Sequence, residues 1–272
     1  MNPRPIGIFD SGMGGLTVMR ALIAKLPHES FVYLGDTARL PYGTKSADTV
    51  ERYAVQAAGA LMRRDVKLIV VACNTASAVA LPALEKALAP IPVIGVVDPG
   101  AEAAVAAAKG GTIAVIGTEG TVKGGAYLRA IHARAANAEV AQQACPLFVP
   151  LAEEGLIEGE IAELVAERYL KPVFAQTKPA ALVLGCTHFP VLAPMLKKVI
   201  ARLGAHATLV DSAATTADAV SILLVKNGLA QISSETPSHV FLATDAPERF
   251  ARVGEIFLGR VPDGVELVDI QN

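Results

Sequence analysis

The chain contains no tryptophan, and aromatic residues make up only 5% of its 272 positions. Broad stacking platforms for nucleic-acid bases are therefore missing. Charge of one sign is missing too: 24 Lys and Arg stand against 26 Asp and Glu, a formal net charge of -2. No basic stripe interrupts this balance, which excludes the electrostatic footprint of a DNA or RNA binder. A small acidic ligand has to be held by local groups, because no global positive field draws it in. The longest apolar runs, such as LIVVAC and ALVLGC, are far too short to span a bilayer. The opening MNPRPIGIFDSG lacks the apolar stretch of a secretory signal, so a cytoplasmic protein with no membrane partner is expected. Cysteine is scarce: three residues, widely spaced, with no CxxC pair. An odd, scattered set argues against a disulfide framework or a zinc ribbon and fits reduced thiols.

What is abundant is apolar. Hydrophobic residues make up 52% and charged residues 18%, enough for a sizeable core. Short β-branched runs alternate with alanine-rich amphipathic stretches. IGIFD, FVYLGD, KLIVVAC, IPVIGVV, TIAVIGT, LFVPL, AALVLGC, ATLVDS, HVFLAT and a last VELVDI read as strands, with helices between most of them. Nearly continuous apolar strands between helices predict parallel sheets covered on both faces, hence a doubly wound α/β protein. In such sheets ligands bind beyond the carboxyl ends of the strands.

The chain also echoes itself. LIVVACNTASAVALPALEKAL and ALVLGCTHFPVLAPMLKKVI share a plan: buried strand, Cys, a nearby Thr, then a Pro-containing helix. Upstream, IGIFDSGMGG and IAVIGTEGTV are both strand, short polar turn, helix, and each lies roughly 60–70 residues before its cysteine, about half a modest domain. Two pseudo-symmetric α/β units follow, each offering one cysteine to a cleft between them. Turn chemistry at Asp98-Pro99-Gly100 and near Val210-Asp211-Ser212 divides the chain into one domain of residues 1–98 plus 210–272 and a second of residues 99–209. The stretch from Asp245 to Asn272 carries no site signal.

Cys73 ends an apolar strand and is followed by Asn74 and Thr75, which open a helix. There the helix dipole is expected to lower the thiol pKa and favour thiolate. Cys186 sits in the same way before Thr187 and His188. Either cysteine alone reads as a small buried hydrophobe; the matched pair with polar neighbours reads as a site. Cys145, in QACPLF, lacks such neighbours and reads as core. His188 is placed to exchange a proton with the Cys186 thiol, or merely to cap a helix. Asp10 closes the first strand before Ser11 and three glycines, a turn whose N–H groups can converge on an anion or simply be capped. Pro41-Tyr42-Gly43 is a turn by composition. Glu153 and Glu154 after LFVPL are, taken alone, a solvated pair.

Taken together, FDSGMGGLTV, DTARLPYGTK, VACNTAS, VIGTEGTV, CPLFVPLAEEG and LGCTHFP resemble the glutamate racemase family of the aspartate/glutamate racemase superfamily. The resemblance runs roughly from Ile6 to Asp211. It implies that Cys73 and Cys186 are two catalytic thiols on opposite faces of the substrate α-carbon. It makes Asp10 the acidic partner of the first thiol, and His188 with Glu153 the support of the second. Ser11, Asn74, Thr75 and Thr187 resemble the groups that hold the α-amino and α-carboxylate. Pro41, Tyr42 and Gly43 resemble the side-chain carboxylate site, and Thr118 and Thr121 further contacts. The spacing leaves Glu153 and Glu154 as alternatives for the same role. The family further implies L- and D-glutamate as ligands, a homodimer, and supply of D-glutamate for peptidoglycan. Some relatives bind a peptidoglycan-precursor activator through an N-terminal extension that this sequence does not show.

The chemistry suits the residues. Inverting a stereocentre needs a base on one face and an acid on the other, and two thiols in opposite protonation states serve both directions. No lysine in a pyridoxal-type setting and no metal-ligand cluster is seen in the sequence, so no cofactor is expected. Two rivals stay open. One is a relative acting on aspartate or a hydantoin, although aspartate-specific relatives tend to carry glutamate where His188 stands. The other is a two-domain protein that binds an acidic amino acid and leaves it unchanged.

Overall fold

A computed structural model describes residues 2–231 and 236–270. Strands β1 (Ile6–Asp10), β2 (Phe31–Gly35), β3 (Leu68–Val71) and β4 (Val93–Gly95) alternate with helices α1 (Leu16–Lys25), α2 (Ala47–Met62), α3 (Asn74–Val79) and α4 (Leu81–Leu88). Helix α5 (Val97–Ala108) leads into β5 (Ile113–Gly117), α6 (Glu119–Gly124), α7 (Ala126–Arg134) and β6 (Val140–Ala144). Then come α8 (Phe148–Glu153), α9 (Glu160–Thr177), β7 (Ala181–Gly185), α10 (Ala193–Arg202) and β8 (Thr208–Asp211). The last described elements are α11 (Ser212–Lys226), β9 (His239–Ala243), α12 (Pro247–Leu258) and β10 (Glu266–Leu267).

The strands form two sheets, ordered β10-β9-β2-β1-β3-β4 and β6-β5-β7-β8, and every pairing among the described residues is parallel. The segments β2-β1-β3-β4 and β6-β5-β7-β8 follow the same path, so the echo seen in the sequence is an echo of topology. In each, the chain steps from the first strand to one side and returns on the other. The crevice this reversal opens lies between β1 and β3 in one sheet and between β5 and β7 in the other.

Each sheet is covered on both faces. Apolar residues of α1, α11 and α12 pack on one face of the first sheet, and those of α2, α3 and α4 on the other. Helices α8, α9 and α10 cover one face of the second, and α5 and α7 the other. Central strands β1, β2, β3, β5 and β7 are buried along their whole length, which is why they read as unbroken apolar runs. The chain crosses from the first sheet's layers to the second's between β4 and α5, and crosses back between β8 and α11. On α11, Ala213, Ala217, Val220 and Leu224 recur every three or four residues and face the first sheet's core. Burying a Val or Leu there contributes about 1.5–3 kcal/mol each.

Three local expectations are corrected. LFVPL is not a strand: Phe148–Glu153 is helix α8, and the neighbouring strand is VAQQA, β6. A proline inside a strand is disfavoured, whereas the half-buried edge strand β6 tolerates two glutamines that hide it from a hydropathy pattern. Asp98-Pro99-Gly100 is the first turn of α5 rather than a loop, a place where proline's missing N–H costs nothing. VELVDI is a strand only at Glu266–Leu267, β10, with the Val268 N–H also bonded to the Ala243 carbonyl.

Candidate active site

The carboxyl ends of the two sheets meet, and the side chains there come from both crevices. Asp10 is the last residue of β1 and is fully buried. Its Oδ2 accepts the N–H groups of Gly12 and Gly15, each at 3.1 Å. Burial raises the Asp10 pKa above the usual carboxylate value, opposed by the His188 charge and the N–H groups of the glycine turn. Among the described residues, Oδ1 of Asp10 has no hydrogen-bond partner, and neither has Nδ2 of Asn74. Buried polar atoms are normally paired. These two mark an unused acceptor and an unused donor inside the seam.

Cys73 follows β3 and is the N-cap of α3, its Sγ 3.5 Å from the Ala76 N–H. The Ser11 Oγ lies 3.7 Å from the same sulfur. The helix end does not produce the expected acidic thiol. Burial, reinforced by the Asp10 charge, pushes Cys73 up to about 12, and the Ala76 and Ser11 contacts only moderate this. Desolvation of a nearly sealed thiolate, 5% exposed, outweighs one turn's worth of dipole. Cys73 is therefore a neutral thiol at neutral pH.

Cys186 stands one residue beyond β7 and is equally buried. Its Sγ is 3.8 Å from Nδ1 of His188, whose Nε2 is 3.1 Å from Oε1 of Glu153. Oε2 of Glu153 accepts from Nη2 of Arg249 at 2.9 Å. Burial pulls the His188 pKa down, but the Cys186 thiol, Glu153 and Asp10 overcome it and hold it up to about 10. Burial acts to raise Glu153, yet His188 and Arg249 keep its carboxyl below the ordinary value. The Cys186 side is thus a continuous chain of Cys186, His188, Glu153 and Arg249. Of the two glutamates, Glu153 reaches His188, while Glu154 is exposed.

The remaining expected residues divide. Thr75 at the start of α3, with Thr118 and Thr121 at the start of α6, form a hydroxyl triangle across the seam, with edges of 3.2, 3.4 and 3.1 Å. Thr187 lies 3.5 Å from His188 Nδ1 through its hydroxyl, and its carbonyl accepts from Thr17. Asn74 Oδ1 accepts from the Tyr127 hydroxyl at 2.8 Å. Pro41 is exposed and caps the short 3-10 helix Tyr42–Thr44. The Tyr42 hydroxyl is committed to Asp36, and the ring is buried against Tyr53. Gly43 instead abuts Thr118: an added Cβ would sit 2.9 Å from the threonine Cβ.

Sequence reasoning missed Arg249 and Phe257, both on α12 in the stretch taken to carry no signal. Phe257 meets the His188 ring edge-on, centroids 5.0 Å apart. It also missed Tyr127 and Thr17. None of these carries a local motif; each is brought in by packing.

A buried glycine-turn carboxylate and two thiols, set at the carboxyl ends of twinned parallel sheets, define a racemase class. Residues 6–220 match the family described as Asp/Glu/Hydantoin racemase, and the chain belongs to it. The particular branch is given by its relatives, the glutamate racemases. The chain is 50% identical to the glutamate racemase of Geobacter metallireducens over 257 residues, 94% of this chain and 93% of that one. Its fold matches the glutamate racemase of Francisella tularensis in complex with D-glutamate with a TM-score of 0.92 at 38% identity, covering 100% and 99% of the two chains. The Thermus thermophilus enzyme in complex with β-chloro-D-alanine gives a TM-score of 0.87 at 44% identity, covering 99% and 98%.

Proposed function

We propose that the protein interconverts L- and D-glutamate, with Cys73 and Cys186 as acid and base on opposite faces of the α-carbon. The observation that carries this reading is the unlike pair of thiols: one neutral beside Ser11, the other in contact with an imidazolium. Cys186 as thiolate, stabilised by His188, removes the α-proton of one enantiomer. Cys73 delivers its proton to the opposite face. The opposite enantiomer reacts from the complementary state, with Cys73 as thiolate and Cys186 as thiol.

The α-proton of an amino acid is a very weak acid, so positioning and preorganised charge have to stabilise the carbanion-like state. The unpaired Oδ1 of Asp10 suits the substrate ammonium, and the unpaired Nδ2 of Asn74 suits its α-carboxylate. Ser11, Thr75, Thr118, Thr121 and Thr187 complete the polar lining, and the Tyr42-Gly43 turn borders it from the side of the distal carboxylate. Residues 1–98 with 210–272 and residues 99–209 act as two lobes that part to admit substrate and close to exclude water. The same reading places the protein in the cytoplasm as a homodimer supplying D-glutamate for peptidoglycan.

The test follows the α-proton of L-glutamate by NMR in heavy water while circular dichroism records optical activity. Washout of the proton together with decay of the signal to zero is expected. Retention of both, with glutamate bound, would leave a binding protein. Faster decay with L-aspartate would move the substrate.

A further inference from the structure

Resting on the two-thiol reading, we propose that Arg249 is a positioning residue for the Cys186 face alone, acting through Glu153 and His188 as the outermost link of a chain that closes only when the two lobes are together. The chain is continuous on geometry. Nη2 of Arg249 is 2.9 Å from Oε2 of Glu153, the other oxygen of that carboxylate is 3.1 Å from Nε2 of His188, and Nδ1 of the same ring is 3.8 Å from the Cys186 sulfur.

The ends of the chain belong to different layers of the molecule. Glu153 ends α8, on the second sheet, whereas Arg249 lies on α12, whose Phe250, Val253 and Phe257 are part of the first sheet's core. The Arg249–Glu153 bond therefore spans the seam. When it forms, it occupies one carboxylate oxygen and leaves the other aimed at His188. The carboxylate then cannot rotate away, and the imidazole is held with Nδ1 toward the thiol. No comparable chain reaches Cys73 among the described residues: its polar neighbours, Ser11 and Asp10, belong to the first lobe's own glycine turn. Asymmetry between the two faces is built in.

A surface cavity of about 220 Å³ lined by Glu153, Glu154, Arg249, Arg252, Val253 and Ile256 lies over the pair, so solvent and salt reach its outer side. The side chain of Arg249 is 39% exposed. Its effect is correspondingly modest, about three- to ten-fold in rate, the span between a screened ion pair and a well-formed charged hydrogen bond.

The test exploits symmetry. L- and D-glutamate are mirror images in water, so their equilibrium constant is one, and any variant must lose kcat/KM equally in both directions. The faces separate in isotope effects. If the Cys186 step becomes slow, the α-deuterium effect on kcat/KM grows for the enantiomer whose C–H bond Cys186 breaks. For the enantiomer whose bond Cys73 breaks, it shrinks toward the equilibrium effect of moving deuterium from carbon to sulfur. R249Q, R249K and the control R252Q are compared with the wild-type enzyme using α-deuterated L- and D-glutamate.

The expected result is a three- to ten-fold loss in R249Q, about as argued above, with the two isotope effects driven apart. R249K restores them in part, and R252Q leaves them at wild-type values. A loss of rate in R249Q with both isotope effects unmoved, or no loss at all, overturns the inference. A second arm needs no variant. Raising sodium chloride on the wild-type enzyme weakens the part-exposed pair and splits the isotope effects in the same sense, while constancy across the series counts against the inference. A wild-type protein that leaves glutamate unchanged would instead remove the two-thiol reading itself.

Discussion

At the residue scale, the two thiols are chemically unlike although their positions match. Cys73→Ala is expected to lower racemisation by about 100- to 10,000-fold, the range for loss of one general acid or base, as read by the decay of circular dichroism. Undiminished racemisation would sink the two-thiol mechanism. His188→Asn removes the imidazolium beside Cys186. It should enlarge the α-deuterium isotope effect for one enantiomer and shrink it for the other, and a parallel change in both would argue that His188 serves both faces. Cys145→Ser should leave kcat/KM within about two-fold, because that sulfur is buried core, its Sγ 3.7 Å from the Gln143 carbonyl. Cys73, Cys186, Thr75, Thr118 and His188 were legible in the sequence because each sits one to four residues past an apolar strand, where local pattern and site coincide. Arg249 was not legible: it lies 96 residues from Glu153 in the chain, on a helix whose own pattern only says that one face is buried. The raised Cys73 pKa was also hidden, since burial is a tertiary property that competes with the local helix end.

At the element scale, the seam is made by glycine turns that let two sheets touch. A Cβ at Gly14 would overlap Nδ1 of His188 and lie 2.6 Å from the Thr187 hydroxyl. Gly14→Ala must therefore displace the His188 ring or hold the lobes apart. The expected cost in stability is about 1–3 kcal/mol, as for other overpacked sites. The expected loss of kcat/KM is larger than that cost implies, because on the proposed mechanism the displaced His188 supports Cys186. Comparing urea midpoints with turnover checks this; a loss of activity no greater than the loss of stability would place Gly14 outside that role. The same elements show where pattern reading stops. The strands β1, β3, β5 and β7 that carry the site are buried on both faces and were found. The edge strand β6, with Gln142 and Gln143 on a half-buried ribbon, shows no apolar run, and that of α8 reads as a strand in its place. Four to six apolar residues with a proline fit a short helix as well as a strand, and only packing decides.

At the scale of the whole molecule, most charge lies at the surface and a few charged groups are buried. Lys67 Nζ lies 2.5 Å from Glu29 Oε2 and 2.8 Å from the Asn2 carbonyl, both side chains nearly sealed from solvent. Lys67→Ala strands the glutamate and is expected to cost about 3–5 kcal/mol by chemical denaturation, whereas Lys67→Met combined with Glu29→Leu should recover most of it. His188 gives a pH signature. Its folded pKa, about 10, lies above its ordinary 6.5, so its contribution to stability is complete below pH 6.5 and is lost as pH rises toward 10. Between about pH 6.5 and 7.5 the native state should lose about 1 kcal/mol of stability per pH unit, close to one proton's worth, before the cysteines of the unfolded chain begin to ionise. Urea titrations across that window, repeated with His188→Asn, test it; an unchanged slope in the variant assigns the proton elsewhere. Finally, the two chain crossings, before α5 and before α11, have a consequence for biosynthesis. Strands β1 to β4 leave the ribosome first, yet α11, β9 and α12, which extend and cover their sheet, are made only after the inserted layers. The second sheet has its strands and both helical covers by residue 211. The first still waits with the edge of β2 unpaired and one face of α1 bare. At about 5–20 residues per second, residues 212–272 need several seconds more. For that interval the nascent chain carries a finished sheet beside an open one, and a holding chaperone would act on the part made first.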